Sequence, residues 1–385
     1  MKRFACLVIG LAVAISKGHL LADVQSSDAI NKALDAADKN AAEIKRALED
    51  VPAPQAKGMQ FLIKNMPDRD LKSLSAAFLL ENVAYAYRAW HESPWKDQID
   101  EDMFLNEILP YANINERRDR WRKEFYQRFK PMIAGIAEPG LAAVKLNQTI
   151  FPELKVKYST RRRRADQGPH ETIESGLASC TGLSILLIDA CRSVGIPARF
   201  VGTPRWSDNS GNHSWIEVYD KGWHFTGAAE PAGDLLDRAW FVDRASKAKR
   251  DNRMHAIYAV SYRRTPQKFP MVWARSLGYI HAVNVTDRYT SLKEKIADDA
   301  VRVRFRVFAE NGNRCSAAIC VKDDAGKEVF TGKSNDERFD ANDHVTVPLK
   351  KGTKYSVEID HDGVKKSEAF TAGSEGQLQT LRLNE

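Results

Sequence analysis

Between Ser179 and Arg199 the sequence specifies a helix with both ends marked and a cysteine in its first turn. Leu183, Leu186, Leu187, Ala190 and Val194 recur at helical spacing, so one stripe of the helix is expected to be buried. Ser179 is a suitable N-cap, Gly195 supplies the residue after the last turn, and Pro197 prevents continuation. Cys180 then faces unpaired backbone N–H groups and the positive end of the helix dipole, both of which favour thiolate over thiol. A free cysteine elsewhere is ordinarily a small buried residue. This one stands where a nucleophile belongs.

Beyond the helix the chain reads as strands. Residues 198–202 are the first, the turn-rich segment 203–211 reverses the chain, and 212–219 alternate before the turn Asp220-Lys221-Gly222. Residues 223–226 start the return strand of a hairpin, and Gly227-Ala228-Ala229-Glu230-Pro231 leaves it. His213, Trp215, Glu217 and Tyr219 share one face of the first hairpin strand, with His213 at its beginning. A carboxylate on the returning segment, Glu230, is placed to hold the imidazole tautomer. Nucleophile, base and orienting acid thus occur in chain order.

These pieces together resemble the transglutaminase-like superfamily of papain-like cysteine enzymes, and in particular a bacterial exported branch. The matching residues are Gly176-Leu177-Ala178-Ser179-Cys180-Thr181-Gly182, Gly195-Ile196-Pro197-Ala198-Arg199, Asn212-His213-Ser214-Trp215-Ile216-Glu217-Val218, and the Trp223 strand leading to Glu230-Pro231. The resemblance covers roughly residues 145–245. It implies a Cys180-His213-acid triad acting on an amide carbonyl, with the acyl-enzyme resolved by water or an amine. The family most often has Asp before Pro where this chain has Glu230, so Asp220 and Asp234 stay open as the third member. The family layout offers Asn147 or Gln148 as a side-chain oxyanion donor beside the backbone N–H of Cys180. Trp206 and Trp215 are candidates for walls of the cleft.

The chain begins with Lys2 and Arg3, an apolar run over 4–15 and Leu20-Leu21-Ala22. A run this short suits a secretory signal over 1–22 better than a membrane span. An exported (periplasmic or secreted) mature protein is therefore expected, with no stable membrane insertion. Cleavage there removes Lys2, Arg3 and Lys17 and no acid, lowering the formal charge from +7 to +4. That mild excess is too small to argue for nucleic acid on charge alone, and no nucleic-acid partner is expected. Arg161-Arg162-Arg163-Arg164 reads as a solvated stretch of a loop over 159–176, leading to the cysteine helix.

Four cysteines lie beyond the leader. On one helix Cys180 and Cys191 lie about 16 Å apart and cannot pair. Cys315 and Cys320 can pair across a turn but not along a straight strand, where they stand about 17 Å apart. The histidines show no metal-ligand spacing, so neither a metal nor another cofactor is expected.

The text from Ser26 to about Pro131 is helical, with Trp121, Phe125 and Phe129 as core contacts, and a strand is expected over 154–158. Residues 240–281 suggest a segment packed across the core. From 282 onward, short strand-like runs alternate with Asp/Asn/Gly turns, the pattern of a β-sandwich. The expected architecture is α+β: a leader (1–22), a helical region (23–144), a transglutaminase-like core with a cysteine helix on an antiparallel sheet (145–281), and a C-terminal β-sandwich (282–385).

The resemblance implies an acyl-transfer enzyme acting on peptide or glutamine-type amides, with a protein, peptide or peptidoglycan-like substrate, by hydrolysis more than by transamidation. The alternative is a catalytically silent scaffold whose C-terminal domain binds glycan or protein.

Overall fold

The computed structural model describes residues 28–292 and 296–383, and the expected leader over 1–22 lies outside the described residues. The N-terminal half is helical, with a helix over 28–37, Ala41–Asp50, Ala56–Asn65, Ala76–His91, Arg122–Phe129 and Pro139–Leu154. Two helices start later than the sequence pattern suggests, which runs from Leu71 to Trp90 for a strongly apolar helix and from Asn115 to Lys130 for a charged one. The strongly apolar helix begins at Ala76 because the Ser75 hydroxyl accepts a hydrogen bond from Phe78 N (3.2 Å). The charged helix begins at Arg122 because the Glu116 carboxylate accepts from the N–H groups of Asn113 (2.6 Å) and Ile114 (2.8 Å), holding that stretch as a loop. Trp121, Phe125 and Phe129 lie in the core as expected. Among the described residues no helix is long and apolar enough to cross a membrane.

The cysteine helix, Cys180–Ser193, is the centre of the molecule. Helices Ala76–His91, Arg122–Phe129 and Pro139–Leu154 pack against it, and the main sheet covers another side. All residues from Thr181 to Ser193 are buried, not one stripe alone. Most of the polar ones find partners inside, Ser184 Oγ and Asp189 Oδ2 being the exceptions. Arg192 donates to the carbonyls of Glu107 (2.9 Å), Ala198 (3.0 Å) and Ala112 (3.1 Å), and Asp189 accepts from Asn113 Nδ2 (2.9 Å). Burial pushes the Asp189 carboxyl well up, against the pull of Arg192, Asn113 and Arg122.

Gly195 ends the helix with φ of +84°, and a Cβ there would stand 2.5 Å from the carbonyl oxygen of Ala89. Only glycine allows that turn and that approach.

Strand β1 (Lys157–Tyr158) pairs in parallel with β2 (Leu177–Ala178), which leads into the cysteine helix. The expected strand over 154–158 is shorter than its sequence suggests because Leu154 still belongs to a helix, capped by Lys155 at φ of +55°. The expected loop over 159–176 contains the helix Pro169–Ser175. Arg163 and Arg164 turn back onto its Glu174 and Glu171, leaving the arginine run at the surface.

The main sheet has six strands: β3 (Ala198–Thr203), β4 (His213–Tyr219), β5 (Trp223–Thr226), β6 (Tyr258–Val260), β7 (Gln267–Lys268) and β8 (His281–Asn284). Their order is β5-β4-β3-β6-β8-β7, antiparallel throughout. Residues 240–281 therefore extend the sheet that carries His213 instead of merely lying across the core.

The C-terminal domain pairs a three-stranded sheet of β9 (Ala300–Phe308), β12 (Val345–Lys350) and β15 (Gln377–Arg382) with a second sheet. The latter holds β10 (Ala318–Asp323), β11 (Glu328–Lys333), β13 (Lys354–His361) and β14 (Val364–Thr371). Val301, Val303, Phe305 and Val307 alternate inward from β9 into the sandwich core. The intervening Arg302 and Arg304 reach the other domain, pairing with Asp243 (2.6 Å) and Asp208 (2.9 Å). Cys315 and Cys320 carry no bridge, and Cys320 lies within β10.

Candidate active site

Cys180 is the first residue of its helix. The Ser179 hydroxyl accepts from the N–H groups of Thr181 (3.1 Å) and Gly182 (3.3 Å) and donates to the carbonyl of Ala165 (2.7 Å), fixing the approach of the chain. His213 opens β4, whose register with β3 sets Thr203 opposite it. The imidazole is buried among rings: Trp240 at 4.7 Å, Phe241 at 5.0 Å, Trp215 at 5.8 Å and Trp206 at 6.0 Å between centroids. Trp215 and Trp206 lie nearly parallel to it, each at 28°. Such a box leaves the ring few orientations. Both tryptophans singled out in the sequence are therefore walls of the histidine's own pocket.

The third group comes from far along the chain. Asp340, in the loop between β11 and β12, places Oδ2 3.5 Å from His213 Nδ1, with both side chains buried. A thiol sulfur, an imidazole nitrogen and a carboxylate oxygen from Cys180, His213 and Asp340 all lie within 4.8 Å of one another. Among the described residues they are the one cluster of three such donors close enough to share a cation. A cation there would occupy the thiol and imidazole that acyl transfer requires free. Nothing in the sequence pattern pointed to Asp340, which sits in a turn-rich stretch of a separate domain.

Electrostatics at the cysteine oppose the expected thiolate. Burial, then the charge of Asp340, push the Cys180 thiol up, while the N–H groups of Ser214 and Thr181 pull the other way without prevailing. One N–H group at the helix start and one on β4 do not offset a largely desolvated sulfur beside a carboxylate. The resting nucleophile is therefore a neutral thiol that needs a base.

The other sequence candidates have different neighbours. Glu230 accepts a hydrogen bond from Trp240 Nε1 (2.9 Å), and burial followed by the charge of Asp340 raises its carboxyl well above the ordinary range. Asn147 is buried and saturated: Nδ2 donates to Gly227 O (2.8 Å) and Thr226 Oγ1 (3.1 Å), and Oδ1 accepts from Ala229 N (2.9 Å). Gln148, on the same helix, donates to Gly233 O and Asp234 Oδ1, each at 2.9 Å, at the exposed rim. Asp220 receives the N–H of Gly140 (3.2 Å) at the hairpin turn. Burial, then the charges of Asp340 and Cys180, raise the Tyr158 phenol, and its oxygen accepts from Ala341 N (3.0 Å).

Residues 127–227 match the family model of the transglutaminase-like superfamily, a stretch that holds Cys180 and His213 but not Asp340. Compared with curated protein sequences, the chain shows no match. Among solved structures it is similar to a candidate cysteine protease from Cytophaga hutchinsonii (19% identity, 35% of this chain and 44% of that one, TM-score 0.27). A candidate protease from Parabacteroides distasonis gives 8% identity, 62% and 36% coverage and a TM-score of 0.25. Red sea bream transglutaminase gives 8% identity, 76% and 59% coverage and a TM-score of 0.22. The chain spans less than two thirds of each of these structures. Overlaps this partial add no weight of their own, and the likeness to a transglutaminase-like core rests on the sequence match over residues 127–227.

Proposed function

We propose that this chain is an exported cysteine acyl-transfer enzyme that uses its transglutaminase-like core to open peptide or related amide bonds. Cys180 Sγ attacks the carbonyl carbon, and its proton passes to His213. The protonated imidazole then gives that proton to the leaving amine as the C–N bond breaks. Water attacks the thioester with His213 as base, releasing the acid and restoring the thiol. The observation that carries this reading is the convergence of the Cys180 sulfur, a His213 nitrogen and a carboxylate oxygen within 4.8 Å.

The neutral resting thiol suits general-base attack and lowers adventitious oxidation of an exported cysteine. The same neutrality favours, as a second reading, a silent scaffold of this fold. Export is proposed from the leader-like residues 1–22. Hydrolysis is preferred to transamidation because no second cleft for an amine is needed. A panel of peptide, isopeptide and glutamine amides, assayed with wild type and Cys180→Ala, separates the readings. Turnover lost in the variant supports the enzyme, and equal turnover by both excludes Cys180 as nucleophile.

A further inference from the structure

We propose that the C-terminal sandwich completes the active site: its β11–β12 loop delivers Asp340 as the residue that positions His213, so the site is assembled from two domains. This inference rests on the Cys180–His213 reading above. The loop is firmly built. The Arg314 guanidinium, from the turn after β9, donates to the carbonyls of Phe339 (2.6 Å), Asp336 (2.8 Å) and Asp340 (3.0 Å), gathering the loop around one side chain. Within it, Asp340 Oδ1 accepts from Asn342 N (2.8 Å) and Nδ2 (3.1 Å). Those bonds fix the carboxylate and leave Oδ2 directed at His213 Nδ1.

The docking is equally specific. Ala341 N donates to the Tyr158 hydroxyl (3.0 Å), Asn342 Nδ2 to Asn212 O (3.2 Å), and Arg244 Nη1 to Asn342 O (3.3 Å). Tyr158 precedes the cysteine helix, Asn212 immediately precedes His213, and Arg244 stacks on Trp206 at 4.8 Å. Gly211, at φ of +62°, makes room, since a Cβ there would stand 2.6 Å from Asn342 Oδ1. Flanking this seam, Arg302 and Arg304 of β9 pair with Asp243 and Asp208. A loop used only as a spacer has no need to send a buried carboxylate into another domain's histidine.

The charges agree with the geometry. The groups facing Asp340 are His213, Cys180, Tyr158, Glu230, Asp343 and Arg244. His213 and the Asn342 amides draw the Asp340 carboxyl down against its burial, while Glu230 and Asp343 are pushed up. The carboxyl most disposed to carry charge in the cluster is therefore Asp340, the one beside the imidazole. A carboxylate at Nδ1 fixes the neutral tautomer with Nε2 as acceptor and stabilises the imidazolium formed when Cys180 loses its proton. The 3.5 Å separation needs a small closure to become a hydrogen bond, as catalytic contacts often do on substrate binding.

The test uses the full chain and p-nitrophenyl acetate, an activated ester small enough to reach the half-buried Cys180. Acylation forms the Sγ–acetyl bond, breaks the ester C–O bond and releases p-nitrophenolate, while the thiol proton goes to His213. The burst rate, KM and thermal unfolding are measured for wild type, Asp340→Asn, Asp340→Glu, Asp340→Ala and His213→Ala. The expected result is a burst slowed roughly 10²- to 10⁴-fold in Asp340→Asn with KM and melting temperature held, and partial rescue by Asp340→Glu. An unchanged burst, or a faster one in Asp340→Asn or Asp340→Ala, overturns the proposal, the faster burst marking the loop as a plug. Should Asp340→Asn fail to fold, Asp340→Glu decides by the same burst. An unaffected His213→Ala overturns the underlying Cys–His reading, whereas a slow His213→Ala with a normal Asp340→Asn overturns this inference alone.

Discussion

The carboxyl of Glu230 fills the space that a side chain at Gly227 would need, because a Cβ at that glycine would collide with Oε2. The returning hairpin segment thereby folds its own acid back toward the catalytic pocket, where Trp240 Nε1 meets it. Residue 227 has to be glycine for this arrangement to form, and burial and then the charge of Asp340 push the carboxyl of the acid up.

Glu230→Gln is accordingly expected to keep the ester burst within about threefold of wild type, because the amide reproduces a neutral carboxyl in shape and in accepting the Trp240 N–H. Glu230→Ala leaves that indole N–H without its partner and costs about 1–3 kcal/mol of stability. Burst kinetics beside denaturant unfolding check both. A loss of orders of magnitude in the folded glutamine variant would make Glu230, and not Asp340, the orienting acid.

Asn147→Ala and Gln148→Ala are expected to separate cleanly. The buried Asn147 amide ties its helix to the segment leaving β5, so its removal costs roughly 2–4 kcal/mol in denaturant unfolding. Gln148 lies at the rim, and its loss changes stability by less than about 0.5 kcal/mol. If either acts at the oxyanion, acylation falls by about 10²-fold or more in a variant whose stability is intact.

The parts of this fold set by local rules were legible in the sequence. The cysteine helix, its Ser179 cap and Gly195 stop, the 213–226 hairpin and the seven sandwich strands arise from caps, alternation and turn residues. Polar residues acting at a distance were not. Asp189 and Arg192 mark a solvated face by pattern, yet partners on the preceding loops let them be buried. Asp340 was beyond reach for the same reason. In sequence it is one more acid in a turn, and only the docking of two domains brings it to His213. The thiolate expected for Cys180 likewise failed because a helix start is a local feature and burial is not.

Two carboxyls at the domain seam should respond to pH in opposite directions. Asp343 is pushed up to about 7 by burial and the charge of Asp340, so its stabilising protonated form is complete below the ordinary carboxylate range and lost as pH rises through about 7. Asp208 is pulled down to about 2 by Ser210, Arg244 and Arg304, which outweigh its burial. Its contribution is present above about 4 and lost as pH falls toward about 2. Thermal unfolding measured across pH should show Asp343→Asn flattening the decline between about pH 5 and about pH 8, and Asp208→Asn converging with wild type near pH 2. Parallel curves for wild type and either variant would contradict the assignment.

The most direct measurement is mass analysis of the acylated protein, quenched in acid within the burst and digested. An acetyl group on the peptide that contains Cys180 in wild type, missing from Cys180→Ala and strongly reduced in His213→Ala, is the predicted result. Label at another residue, or equal label on Cys180 with and without His213, would contradict a Cys180–His213 acyl-transfer site.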